Sequence, residues 1–142
     1  MSRRSVILTE LATILSGVTG ITTVKLVNNI EDKYPIDLLD TELPAVKIIV
    51  PEESVQYETN MHAMNRIRPE LHLYAIDWSK DSITAEEDAL EALRNALGEN
   101  YNISGTAINI DILKVFKEKS TYPITHFRVL CEIIEETDIR TV

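Results

Sequence analysis

The sequence predicts an α+β fold: a mainly antiparallel sheet of about five to six strands, two helices packed on one face, and a projecting β-hairpin. Three observations carry this. Two segments repeat apolar residues at three- and four-residue steps, the period of a helix with one buried stripe. Other stretches alternate apolar and polar residues, the period of a strand with one buried face. The last two of these are joined by a connection short enough for direct antiparallel pairing. At 142 residues the expectation is a single domain over 1–142, with an acidic flexible tail at about 136–142.

Arg3–Ser16 reads as the first helix, with Ile7, Leu8, Leu11, Ile14, Leu15 and Val18 on its apolar side. Gly17 and Gly20 supply its stop. Arg3 and Arg4 stand at the wrong end for the helix dipole. Thr22–Val27 is β-rich, and the polar stretch Asn28–Leu43 that follows is long for a connection. Ala45–Val50 reads as a strand, Pro51-Glu52-Glu53 as a turn, and Val55, Tyr57 and Thr59 as the alternating positions of a returning strand. Between Arg66 and Asp77, Ile67, Leu71, Leu73 and Ala75 share one face, and Arg68, Glu70, His72 and Tyr74 the other. Pro69 marks an edge or a bulge. Ser54–Leu73 thus reads as a long hairpin with its tip near Asn60–Asn65.

The second helix carries a capping box at Thr84-Ala85-Glu86-Glu87, a stripe of Leu90, Leu93 and Leu97, and a stop at Gly98. Thr106–Lys117 and Ile124–Glu135 follow as a strand pair. The apolar face of the first changes from Ile108, Ile110 and Ile112 to Leu113 and Val115. Either a bulge or a strand buried on both faces produces that pattern. Phe127, Val129, Cys131 and Ile133 line one face of the second.

Composition excludes several function classes. Hydrophobic residues at 44% and charged residues at 26% are ordinary globular values. Fourteen basic against twenty-three acidic residues leave a formal charge of −9, the wrong sign for gripping phosphates. A single cysteine makes no internal disulfide and fits a reducing compartment. There is no 18-residue apolar run and no apolar signal core at the start, so neither membrane nor secretion is expected.

No residue set announces chemistry. The four glycines fit no phosphate-binding spacing. His62, His72 and His126 fall on separate segments and read as surface residues, although convergence on a metal with Glu58 or Glu132 is the alternative. Cys131 and His126 differ by five positions and point to opposite faces, which makes Cys131 a buried thiol rather than a nucleophile. Glu86, Glu87 and Asp88 occupy a first helical turn, where acids are stabilising on electrostatic grounds alone. Arg66 and Arg68 share a strand face, ready to grip an anion or to pair with Glu58 or Glu70. Met61 and Met64 near the hairpin tip suit an adaptable contact surface, or are methionines of a mobile loop.

The order of elements resembles a known family. A helix ends at Gly17, Gly20-Ile21 leads into a short strand, and a loop reaches Leu43-Pro44-Ala45-Val46-Lys47-Ile48. A long hairpin runs into Glu70-Leu71-His72-Leu73-Tyr74-Ala75-Ile76-Asp77, followed by a capped helix at Ala85–Leu97 and two final strands. Over nearly the whole chain this resembles the tail-terminator (tail-completion) and related neck proteins of long-tailed bacteriophages.

The resemblance implies a non-enzymatic virion subunit, assembled in the host cytoplasm, that forms a ring, usually a hexamer. The ring caps the tail tube, ends its polymerisation and offers a surface to the neck protein; in contractile phages it also meets the last sheath ring. DNA passes through without specific binding, and no cofactor, metal or catalytic residue is implied. Edge strands and the hairpin are the parts suited to ring contacts by strand addition. Met61, His62, Met64, Arg66 and Arg68 are the interface candidates because they flank the arm. Two alternatives stand beside this reading: an adjacent neck or head-completion protein, and a small intracellular metal-dependent enzyme using Glu86, Glu87 or a histidine. A third, a ligand-binding module, needs a deep apolar pocket.

Overall fold

A computed structural model describes residues 3–26, 40–57, 62–78, 84–119 and 122–138. The chain runs α1 (Arg3–Ser16), β1 (Thr23–Leu26), a short 3-10 turn (Asp40–Glu42), β2 (Ala45–Tyr57), β3 (His62–Ile76), α2 (Thr84–Glu99), β4 (Asn109–Glu118) and β5 (Ile124–Asp138). The five strands form one sheet in the order β1-β2-β3-β5-β4. Only β1 and β2 pair in parallel; every other neighbour is antiparallel. Both helices cover the same face, giving the expected α+β arrangement. The parallel pair also explains the long connection after β1. Adjacent parallel strands need a crossover, which a tight turn cannot supply.

The core lies between the helices and the apolar side of the sheet. Ile7, Leu11 and Leu15 of α1 and Ala89, Leu90, Leu93, Ala96 and Leu97 of α2 meet strand residues there. Those residues are Val46 and Ile48 of β2, Leu71, Leu73 and Ala75 of β3, and Phe127, Val129 and Ile133 of β5. Burying each large aliphatic side chain contributes about 1.5–3 kcal/mol, and this pooled face is what holds two short helices in place. Gly20 turns the chain out of α1 with φ +99°, a backbone angle that glycine adopts without steric cost. After α2, Ile103 and Ser104 also take positive φ. An isoleucine rarely does so, but here its side chain is completely buried in the core.

A line of irregularities crosses four strands. Ile49 pairs with Glu70 and Glu52 with Arg68, so Val50 and Pro51 of β2 stand opposite Pro69 of β3. In β4, Ile112 pairs with Cys131 and Lys114 with Leu130, which leaves Leu113 as an extra residue. The β3–β5 ladder skips the same level, from Ile67↔Ile133 to Glu70↔Leu130. Prolines lack the N–H that a regular ladder requires, and a bulge is where a sheet tolerates them. The bulges anticipated at Pro69 and near Leu113 are therefore present.

Three expectations are corrected. Pro51-Glu52-Glu53 is not a turn: it lies within a continuous β2, because the bulge absorbs the proline and pairing resumes at Glu52. The projecting arm is not a two-stranded hairpin. β5 stays paired with β3 as far as His62↔Asp138, so the arm has three strands. Residues 136–138, expected to open a loose tail, belong to β5; the hairpin tip and residues 139–142 lie outside the described residues.

Leu93 is fully buried where α2 meets the sheet. Leu93→Ala is expected to cost about 2–5 kcal/mol, read as a lower urea midpoint with an unchanged slope.

Candidate functional site

The helix-free face of the sheet gathers most of the polar side chains that the sequence singles out. Its members alternate with the core residues: Lys47 on β2, Arg66, Arg68, Glu70, His72 and Tyr74 on β3, His126, Arg128 and Glu132 on β5, and Lys114, Phe116 and Glu118 on β4. The registers bring them together. His72 lies opposite Arg128 and Tyr74 opposite His126, so the two histidines are diagonal neighbours. Their rings approach to 2.8 Å between His72 Nδ1 and His126 Nε2. Tyr74 stacks on His126 with ring centroids 4.4 Å apart, and the Lys47 ammonium sits 5.7 Å from the Tyr74 ring.

This overturns the surface reading of the histidines. His72 is 3% exposed, Lys47 4% and His126 7%. Near this cluster Leu43, which follows the 3-10 turn, packs with Ala45 and Tyr74. One hydrogen bond between two imidazoles needs a donor on one ring and an acceptor on the other, so the pair is compatible with at most one imidazolium. Among the described residues no group of three or more His, Cys, Asp or Glu side chains could hold a metal ion.

Further along the same face, charges are paired across strands. Arg66 Nη1 and Arg68 Nε donate to the two oxygens of Glu132, at 3.1 and 3.2 Å. Arg128 bridges Glu70 at 3.3 Å and Glu118 at 2.9 Å, and its guanidinium lies 4.7 Å from the Phe116 ring. Arg66 and Arg68 thus share Glu132 on β5, and Glu70 pairs instead with Arg128; Glu58, the other expected partner, lies outside the described residues. Each arginine gives one N–H to this shared carboxylate, which offsets part of the positive charge that an outside anion would meet.

The other candidates are dispersed. His62 begins β3 opposite Asp138, and Met64 is half-buried opposite Gln56 and Glu136. Met61 lies outside the described residues. Glu86 is buried and bonded to Lys117 of β4 at 2.7 Å, tying the start of α2 to the sheet, whereas Glu87 and Asp88 are exposed. Cys131 faces the core, away from His126, and burial pushes its thiol up to about 12. Sequence reasoning missed Trp78 and Tyr122, both exposed. Their rings meet edge to face, and the Tyr122 hydroxyl donates to the Trp78 carbonyl.

The two outermost strands, β1 and β4, are guarded edges. β1 has four residues. β4 carries the Leu113 bulge together with Lys114 and Lys117. Short edges, bulges and lysines are the devices that discourage pairing with a foreign strand.

No family model and no curated protein matches the chain. Its fold is similar to that of a chain in a solved structure of the virion of a native gene transfer agent (GTA) particle. The TM-score is 0.50 at 10% identity, with 92% of this chain and 91% of that chain covered.

Two measurements follow from this geometry. Glu132→Gln is expected to lose about 1 kcal/mol, most of it at low salt, since both arginines are partly exposed and their pairs are screened; urea unfolding at two ionic strengths reads this out. For Cys131 the folded value lies above the ordinary 9.0, so the folded chain holds its proton longer than the unfolded one. The stability it contributes is complete below about pH 9 and lost as pH rises towards about 12. The alkaline decline of Cys131→Ala is expected to be shallower than that of the wild type.

Proposed function

We propose that this chain is a non-enzymatic virion subunit of the tail-terminator kind. Copies close into a ring on the end of a tail tube, stop its growth and present a surface to the neck. The observation that carries this reading is the likeness to a gene transfer agent virion chain, which spans nine-tenths of both chains. It accords with the element order that resembles the phage tail-completion family. The chemistry of the helix-free face supports the same reading. Its arginines and glutamates pair with one another, and its buried histidines with each other and with Tyr74, an arrangement suited to a structural role rather than a reaction centre. The charge of −9 suits a ring through which DNA passes without adhering.

The test is polymerisation of tail-tube protein with and without this chain. The expected result is tubes that stop growing, with a ring density at one end in electron micrographs. A neck or head-completion protein leaves elongation unchanged, and that result overturns the proposal. So does a chain that never joins the tubes.

A further inference from the structure

The 2.8 Å hydrogen bond between His72 Nδ1 and His126 Nε2 ties β3, the middle strand, to its neighbour β5. The two ring centroids are 5.0 Å apart, and Tyr74 stacks on His126. Tyr74 belongs in turn to a small apolar cluster with Leu43 and Ala45, against which Ile76 and Ile124 pack. This buried patch is separate from the core beneath the helices. The imidazole bond is therefore a side-chain link across the centre of the sheet, made by two titratable groups that are 3% and 7% exposed.

The charges that face the pair nearly balance among the described residues. Lys47 of β2 and Arg128 of β5 both lie opposite His72. Glu118 of β4 lies opposite His126, and the Glu70 carboxylate of β3 is 3.9 Å from His72 Nε2. Farther out, Lys25 of β1 lies opposite Lys47 and 4.0 Å from Glu42 of the 3-10 turn. The Tyr74 phenol is neutral in acid, and both helices cover the other face. Cations and carboxylates of similar number leave no strong net field to decide how many protons the rings hold.

The hydrogen bond decides it instead. A lone pair on one of the two nitrogens must accept, so the bonded pair holds at most one imidazolium, whatever else the rings touch. Two histidines of an unfolded chain both become charged well below about pH 6.5. In that range the unfolded chain binds one proton more than the bonded pair, so stability falls as pH falls. We infer that His72 and His126 form an acid-sensitive latch: in mild acid a second proton breaks their bond, frees the Tyr74 stack and loosens the β3–β5 alignment at that level. The latch is independent of the tail-end reading.

Urea unfolding of the full-length wild type and of His126→Gln, from about pH 8 to about pH 5, tests it across the imidazole range. Glutamine keeps a hydrogen-bonding group at the place of His126 Nε2 but takes up no proton. Its amide donates to a neutral His72 or accepts from a charged one. The carboxylates are the same in both proteins, so their titration cancels in the comparison. Below about pH 6.5 the unfolding constant of the wild type is expected to rise more steeply than that of the variant, by as much as about tenfold per pH unit. Equal slopes, or a steeper rise in the variant, overturn the latch.

Nitrogen-15 NMR of the imidazoles in the folded wild type is a second measurement that needs no variant. One ring of the pair is expected to stay neutral for as long as the amides of residues 72–76 remain protected from exchange. It is expected to gain its proton together with the loss of that protection. Two charged rings in a chain that keeps the protection overturn the latch, because they show that the second proton is accommodated without opening the sheet.

Discussion

β3 is the middle strand of the sheet, and its alternation is the constraint on which the other elements depend. One of its faces presents Ile67, Leu71, Leu73 and Ala75 to two helices; the other presents Arg68, Glu70, His72 and Tyr74. A slip of one residue would send every side chain of a neighbouring strand to the wrong face. The bulges preserve that parity. In β4, Ile110 and Ile112 face the core before Leu113, and Val115 packs against it afterwards, opposite Val129. Were Leu113 held in a regular ladder rather than a bulge, Val115, three positions after Ile112, would fall on the polar side. The irregular line is thus a correction that lets long strands bend and still keep one apolar face.

The polar face contributes less to stability than its density of charge suggests. Arg66, Arg68 and Arg128 are each a third or more exposed, and pairs of that kind are worth about 0–1 kcal/mol. Their geometry is more informative than their energy. Each pair crosses from one strand to another: Arg66 and Arg68 reach Glu132 from β3 to β5, and Arg128 reaches Glu70 on β3 and Glu118 on β4. A shifted register separates these partners and sets like charges near one another, so the network specifies which alignment is allowed.

Periodicity made the helices and the strand faces legible, because burial selects the side chains at each repeat. Leu90, Leu93 and Leu97, or Phe127, Val129 and Cys131, need no partner to be read as one face. Pro69 betrayed its bulge because a residue without an N–H cannot sit in a regular central ladder. What failed to show was anything that depends on register. Pro51-Glu52-Glu53 has the composition of a turn, and only the opposing Pro69 reveals it as a bulge. Glu136–Asp138 look like an acidic tail until β3 is seen to hydrogen-bond alongside them. His72 and His126 are fifty-four positions apart and meet through the Tyr74↔His126 alignment, which no local pattern encodes. The same limit hid Glu132 as the partner of Arg66 and Arg68.

Docking of unlike surfaces is one general route by which small subunits reach ordered assembly. Copies that each carry −9 repel one another at long range. Within roughly 8–10 Å the repulsion is local, screened at physiological salt, and opposite charges set against each other can outweigh it. A contact that is weak as a pair becomes strong when several copies are held side by side, because simultaneous contacts multiply.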